Sequence, residues 1–178
     1  RVESMFQNTL TSSPDYDPNK QIYNYKRKFL LGSGSFGNVY KVKHDKKNQM
    51  VAVKESKFSY KMKCFYNEWC VNEKIRNAPG IVQYFEGYVD LVDKADKSNN
   101  KGFLIFELGD GSLSDIIESN DKKNVLTYKN DLEVAKVLKQ IATGVKSLHD
   151  LGYIHMDMKL DNLLVVNGVV KLSDFGGS

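Results

Sequence analysis

The sequence is poor in residues that crosslink or stiffen a chain, with only two cysteines and three prolines among its 178 residues. Cys64 and Cys70 fall in one predicted helix, where a spacing of six residues turns the two side chains about 120° apart. We therefore expect no disulfide between them. Such cysteine usage favours a reducing, intracellular location, either cytoplasmic or nuclear.

Long apolar runs are also absent from the sequence. No stretch approaches the roughly 20 apolar residues that cross a bilayer, and residues 1–8 lack the apolar core of a signal peptide. We therefore expect no membrane partner. The formal charge of +4 comes from lysines scattered along the whole chain. Because no basic block dominates, we expect no nucleic-acid partner either.

The residues that are present indicate a globular protein, since 41% of them are hydrophobic and can bury a core. Residues 1–22 show no periodicity and are predicted to be a leader or linker. Alternating segments after residue 22 predict five short antiparallel strands, at 25–31, 36–43, 50–55, 81–89 and 103–108. A helix is predicted at 61–77 and a polar loop at 90–101.

The second half of the chain is predicted to contain a long helix and a hairpin. Apolar residues recur at helical spacing over 134–148, and Asn130 and Glu133 are placed as a capping pair. Gly152 is expected to end this helix, because glycine adopts the left-handed conformation at low cost. An Asn-Gly pair in the middle of the apolar stretch 163–172 is the strongest signal for a two-residue hairpin.

A glycine-rich run joins the first two predicted strands and follows a Gly-x-Gly-x-x-Gly pattern. It consists of Gly32, Ser33, Gly34, Ser35, Phe36, Gly37, Asn38 and Val39. Backbone amides at such glycines can approach the phosphates of a nucleotide. An ordinary hairpin turn would also fit, and a dinucleotide site would need a helix directly after the run. A strand follows instead, which favours a loop that covers ATP between two strands.

The third predicted strand contains a lysine, Lys54, that could pair with nucleotide phosphates. Strand parity places Ala52 and Lys54 on the same face, so both could line a cleft. A solvent-facing lysine on an edge strand is the alternative for Lys54. A lysine with this role needs a carboxylate to hold it, usually from the helix that follows. Glu68 and Glu73 are the two candidates in the predicted helix.

The helical wheel favours Glu68 over Glu73. The apolar arc of the helix consists of Cys64, Phe65, Trp69, Val71 and Ile75. Glu68 lies inside that arc at about 100° per residue, whereas Glu73 lies beyond its edge. A carboxylate on an apolar face needs a partner, because burying it unpaired is costly.

A run at 155–162, His-Met-Asp-Met-Lys-Leu-Asp-Asn, matches a catalytic-loop pattern at four positions. Asp157 is predicted to accept the proton of a substrate hydroxyl, and Lys159 to steady the transferred phosphoryl group. Asn162 is predicted to bind a second Mg²⁺, while His155 supports the loop. Asp174, in an Asp-Phe-Gly sequence after the hairpin, is predicted to bind the Mg²⁺ that bridges the phosphates.

With these motifs in this order, residues 23–178 resemble the eukaryotic protein kinase family. The resemblance implies an α+β, bilobal fold, with a five-stranded N-lobe at about 23–108 and the start of a mainly helical C-lobe at about 109–178. It implies ATP and Mg²⁺ as cofactors, a protein as partner, and transfer of the γ-phosphoryl group to a Ser or Thr hydroxyl, with Tyr left open. It also implies contacts to the adenine base from Leu31, Val39, Ala52, Phe106, Glu107, Leu108 and Leu164.

Departures from the family pattern leave the subfamily and the activity of this piece open. Met156 replaces the arginine that usually pairs with a phosphorylated residue, so we do not expect control by that route. His-Met-Asp resembles Wee-type cell-cycle kinases, whereas the 106–110 hinge resembles spindle-checkpoint kinases of the monopolar-spindle type. The activation segment would lie beyond Ser178, which predicts exposed apolar surface around Ile141. A truncated, pseudokinase-like nucleotide-binding module that regulates another kinase is the alternative function, and the oligomeric state stays open.

Overall fold

The computed structural model describes residues 29–34, 37–44, 48–57, 62–90, 101–119 and 131–176. The predicted leader at 1–22, the capping residue Asn130, Ser35 and Phe36 of the glycine run and residues 91–100 of the predicted loop lie outside these ranges. In the described part of the chain, no helix is long and apolar enough to cross a membrane.

Five antiparallel strands form the larger sheet, as predicted. They are β1 (Phe29–Gly34), β2 (Gly37–His44), β3 (Gln49–Lys57), β4 (Tyr84–Asp90) and β5 (Lys101–Glu107). Their order across the sheet is β1-β2-β3-β5-β4. The predicted helix lies between β3 and β4 as α1 (Met62–Ile75).

Among the residues described after β5, a smaller, three-stranded sheet and two further helices follow. They are β6 (Gly111–Ser112), α2 (Leu113–Glu118), α3 (Asp131–Asp150), β7 (Leu163–Val166) and β8 (Val169–Leu172). The Asn-Gly hairpin between β7 and β8 is confirmed, with φ of +51° at Asn167 and +75° at Gly168. Gly152, at φ +81°, follows the end of α3 as predicted. The sequence did not predict β6 or the 3₁₀ turn at Leu160–Asn162.

Strand parity assigns the residues of β3 to the two faces of the sheet. Val51 and Val53 are fully buried with Phe103 and Ile105, so the opposite face carries Ala52 and Lys54, as predicted. The fourth strand begins three residues later than predicted. Ile81 instead forms an isolated parallel bridge to Leu172, which ties the chain entering β4 to the smaller sheet.

The predicted apolar arc of α1 is correct except at its first member. Phe65 and Trp69 pack on Tyr84 and Leu104, whereas Val71 and Ile75 join the core of the smaller sheet. Cys64 is exposed, because it lies in the first turn of α1, ahead of the stretch that this core covers. Cys64 and Cys70 are both free, so the expectation of no disulfide between them holds.

Helix α3 packs on β8 along part of its length. Val137, Gly144 and Leu148 are its buried residues. A Cβ at Gly144 would overlap the carbonyl oxygen of Gly80, so this glycine permits a close approach of backbones. The predicted exposed apolar surface is present on the same helix, at Leu132, Val134 and Leu138.

Candidate active site

A cleft of about 940 Å³ lies between the two sheets, a size that suits a small ligand or cofactor. One wall comes from the larger sheet and includes Leu31, Val39 and Ala52. Leu164 of β7 lies on the opposite wall. The predicted adenine contacts therefore face one another across a single cleft.

Lys54 joins three distant parts of the chain at the inner end of this cleft. Its Nζ donates to Glu68 Oε1 at 2.6 Å and to Asp174 Oδ1 at 2.9 Å. Glu68 is 3% exposed, so the predicted choice of Glu68 over Glu73 as the partner of Lys54 is confirmed. The solvent-facing alternative for Lys54 is wrong, since this residue is only 9% exposed.

The electrostatics of this pair keep Lys54 charged. Burial alone disfavours its ammonium form, but the carboxylates of Glu68 and Asp174 outweigh burial and raise the pKa of Lys54. Burial raises the pKa of the Glu68 carboxyl, and the contact with Lys54 opposes that rise. A charged, nearly dry ammonium that faces a cleft is suited to an anionic ligand.

The catalytic loop brings Asp157, Lys159 and Asn162 together. Lys159 Nζ donates to Asp157 Oδ2 at 2.8 Å, and the Asn162 side-chain amide donates to the Asp157 backbone oxygen at 2.9 Å and to Oδ2 at 3.1 Å. The hydrogen bond from Lys159 is the main cause that lowers the pKa of Asp157. Asp157 therefore stays ionised and acts as an acceptor.

Asp174 lies between two residues, Ser173 and Phe175, that are held by neighbouring groups. Ser173 donates its N–H and its hydroxyl to the Asn162 carbonyl oxygen, at 2.9 and 3.0 Å. Phe175 is 2% exposed and lies 5.2 Å from the His155 ring. His155 Nε2 lies 2.9 Å from the Ser173 carbonyl oxygen, which agrees with its predicted supporting role.

The glycines of the run between β1 and β2 have different structural roles. Gly32 and Gly34 line the cleft, and a Cβ on either would meet nothing within 4 Å, so the space above them is open to a ligand. Gly37 has φ +140°, and a Cβ there would overlap the Glu55 carbonyl oxygen. Glycine at 37 is therefore required by the sheet itself.

Two residues of this run differ in how they relate to the cleft. Ser33 lines the cleft, as predicted. Asn38 does not: its side chain accepts from the Ser33 hydroxyl at 2.7 Å and donates to the Tyr40 hydroxyl at 3.1 Å. The nucleotide contact from Asn38 stays a prediction, and its side-chain amide is already hydrogen-bonded to the Ser33 and Tyr40 hydroxyls.

A family model of the protein kinase domain matches residues 25–178. The chain belongs to the protein kinase family. It is 30% identical over 146 residues to Cyclin-dependent kinase F-3 of Oryza sativa subsp. japonica, covering 82% of this chain and 31% of that protein. It is 34% identical over 170 residues to Serine/threonine-protein kinase Tao of Drosophila melanogaster, covering 92% of this chain and 15% of that protein.

A third relative is Mitogen-activated protein kinase kinase kinase nsy-1 of Caenorhabditis elegans, which is 33% identical over 187 residues, covering 98% of this chain and 12% of that protein. The chain thus spans between 12% and 31% of the length of these three relatives. The two sheets and their helices form the bilobal kinase fold. The Wee-type and monopolar-spindle-type resemblances stay predictions.

The segment that connects the kinase lobes contains contacts that the sequence did not predict. Phe106, Glu107 and Leu108 line the cleft, but the Glu107 N–H already donates to Gln83 O at 2.9 Å and so is not available to a base. The Glu107 carboxylate accepts from Lys171 Nζ at 2.6 Å. Nothing in the local sequence indicated this pair, since its members lie 64 residues apart.

The mouth of the cleft carries further residues that were not predicted. Asp110, Ser112, Asp115 and Asp161 line it. Ser112 and Asp115 form a capping box at the start of α2. The Ser-x-x-Asp spacing is a known helix-start signal and could have located these two residues.

The residues at the inner end of the cleft fit Mg²⁺. Asp174 and Asn162 both line the cleft and supply the hard oxygen ligands that this ion prefers, while phosphates and water complete its shell. Among the described residues, no group of three or more His, Cys, Asp or Glu could hold a metal ion by itself. Asp174 and Asn162 would each share a Mg²⁺ ion with a bound phosphate chain.

Proposed function

We propose that this chain carries the ATP-binding and phosphoryl-transfer residues of a protein kinase that acts on serine or threonine hydroxyls of a protein substrate. The observation that carries the proposal is the position of Lys54, which bonds Glu68 and Asp174 at once. Asp157 and Lys159 line the same cleft. Binding and transfer groups are therefore available to a single nucleotide.

Each group has a distinct task in the proposed reaction. The Lys54 ammonium binds ATP phosphates, and Gly32 and Gly34 leave room for the phosphates to approach the backbone. Asp157, with a side chain that is 52% exposed, can be reached by a substrate hydroxyl and accepts its proton as the γ-phosphoryl group is transferred. Lys159 lies beside Asp157 to bind the moving phosphoryl group.

Asn162 and Asp174 would hold Mg²⁺. When bound, this ion neutralises charge on the phosphates. The chain's own contribution is to keep the two ligands in place, through the hydrogen bonds from Ser173 to Asn162 and the burial of Phe175.

The choice of serine or threonine rests on one relative. Serine/threonine-protein kinase Tao is similar to 92% of this chain, and its name states that specificity. The intracellular location expected from the sequence stays a prediction and agrees with a supply of ATP.

The test is transfer of labelled phosphate from ATP to casein and to matched serine, threonine and tyrosine peptides. Asp157→Asn is expected to lower kcat by about 10²–10⁴-fold, the usual contribution of a positioned base. Lys54→Met is expected to lower it by about 10²-fold, because a charge that contacts the phosphates is lost. Asp150→Asn and Lys43→Met change exposed residues of the same types and serve as controls.

Transfer that survives both cleft substitutions unchanged would refute the proposal. Labelling of the tyrosine peptide alone would correct the acceptor. Tight ATP binding without Asp157-dependent transfer would favour the nucleotide-binding, pseudokinase-like module instead.

A further inference from the structure

Glu73, the glutamate that does not pair with Lys54, is the centre of another cluster. Its Oε1 accepts from Trp69 Nε1 at 3.2 Å and from the Tyr84 hydroxyl at 2.8 Å. Its Oε2 accepts from Arg76 at 2.9 Å, and the Arg76 guanidinium lies 4.9 Å from the centre of the Tyr84 ring. We call Trp69, Glu73, Arg76 and Tyr84 the Glu73 anchor.

The Glu73 anchor joins α1 to β4, the strand that follows this helix along the chain. Trp69, Glu73 and Arg76 belong to α1 and the turn after it, whereas Tyr84 is the first residue of β4. Tyr84 is 1% exposed, and its hydroxyl reaches a carboxylate that is itself partly open to water. Burial and the nearby Glu73 charge raise the pKa of Tyr84, so its hydroxyl remains a hydrogen-bond donor.

Gly87 on β4 leaves the space that the ring of Trp69 occupies. A Cβ at Gly87 would lie 2.8 Å from two atoms of the Trp69 indole, so only glycine leaves room for the ring at this depth. The indole N–H then points to Glu73. The sheet and α1 are therefore joined by the packing of the Trp69 ring on Gly87 and by the Glu73 carboxylate, which accepts hydrogen bonds from both Trp69 and Tyr84.

Helix α1 presents the Glu73 anchor and Glu68 to different partners at the same time. Trp69 follows Glu68 directly, and Glu73 lies about one turn after Trp69. The Glu68 carboxylate meets Lys54 at 2.6 Å. Donor–acceptor distances of N–H···O hydrogen bonds are usually about 2.7–3.2 Å, so a shift of α1 by about 1 Å that moved Glu68 away from Lys54 would take this contact outside that range.

We propose that the Glu73 anchor positions α1 so that Glu68 reaches Lys54, which makes Glu73 and Tyr84 positioning residues for phosphoryl transfer. The proposal rests on the proposed kinase function for its catalytic consequence, but the position of the helix can be measured without any transfer. Loss of the Tyr84 hydroxyl should loosen α1 and leave the core packing of the ring in place.

The first measurement is hydrogen–deuterium exchange in Tyr84→Phe. Protection of the α1 amides is expected to fall about tenfold, the effect of one hydrogen bond to a charged acceptor, while protection of α3 stays unchanged. Tyr88→Phe is the matched control: it removes a hydroxyl from the same strand, at a ring that stacks on Phe103 and lies outside the anchor. Equal protection of α1 in both variants would overturn the proposal.

The second measurement is kcat/KM for ATP in single and double variants. Tyr84→Phe is expected to lower kcat/KM about twofold or more, according to the fraction of molecules in which the helix remains in position. Glu73→Ala should lower kcat/KM further. Glu73→Gln should have a smaller effect than Glu73→Ala. In a Glu68→Gln background, Tyr84→Phe should cause no further loss, because the contact through which it acts is already gone.

A further loss of the same size in the Glu68→Gln background would show that Tyr84 acts on general stability, and would overturn the positioning role. Failure of the kinase function is a separate result: the unsubstituted chain would then show no Asp157-dependent transfer. In that case the exchange experiment still decides whether the Glu73 anchor holds α1.

Discussion

Replacing Lys54 with methionine tests the buried charges of the cleft most directly, because it removes the cation and keeps the length of the side chain. Glu68 then remains 3% exposed without its strongest partner. Asp174, whose side chain is 37% exposed, can turn to water instead. The loss of stability should therefore come mainly from Glu68.

The size of that loss is limited by protonation of Glu68. Raising the pKa of a carboxyl from its ordinary value of 4.5 to pH 7 costs about 1.36 kcal/mol per unit, or about 3.4 kcal/mol in all. This limit lies within the roughly 3–5 kcal/mol expected when one partner of a buried pair is removed. At pH 5.5 the same calculation leaves only about 1.4 kcal/mol.

The sign of the pH dependence follows from proton binding. Burial raises the pKa of Glu68, and Lys54→Met removes the contact that opposes this rise. Folded Glu68 therefore binds its proton more tightly in the variant than in the parent, so the variant loses stability relative to the parent as pH rises. Urea unfolding followed by fluorescence of Trp69, the single tryptophan, measures the difference. Lys54→Met combined with Glu68→Leu should recover most of the loss.

A loss in the free energy of unfolding of Lys54→Met below about 1 kcal/mol at pH 7 would contradict this reasoning, because a broken buried pair is expected to cost about 3 kcal/mol or more. An equal deficit at pH 7 and pH 5.5 would also contradict it, since the protonation of Glu68 could not then be its source.

Two further outcomes can be measured. Lys159→Ala removes the hydrogen bond that lowers the pKa of Asp157, so the acid limb of the kcat/KM profile should move to higher pH; an unchanged limb would exclude Asp157 as the base. Gly37→Ala should lower the free energy of unfolding by about 1–3 kcal/mol, because its Cβ would overlap the Glu55 carbonyl. Gly34→Ala, its control in the same run, should leave stability unchanged and raise KM for ATP; equal effects on stability would refute this distinction.

Periodicity identified the features that depend on the direction of a side chain. The helical wheel separated Glu68 from Glu73, since about 100° per residue places them on different sides of α1. The Asn-Gly pair located the hairpin because its residues adopt the positive φ angles that a tight turn requires. In both cases the direction of the side chain or backbone is set by residues only a few positions away along the chain.

Features that depend on the opposing surface could not be predicted in this way. The helical wheel placed Cys64 on the same face of α1 as Val71 and Ile75. It could not show that the core of the smaller sheet covers only the later turns of this face. Asn38 likewise belongs to the glycine run, yet Ser33 and Tyr40 hold its amide.

The sequence by itself determined the family, the order of the strands and helices along the chain, and the residues proposed to bind phosphate and to accept a proton. Tertiary structure alone decided that Lys54 also contacts Asp174, 120 residues away, and that Glu73 binds Tyr84 while Glu68 is left for Lys54. The physical reason is that a local pattern specifies where a side chain points, whereas its partner is supplied by a distant segment that arrives only when the sheets and helices pack.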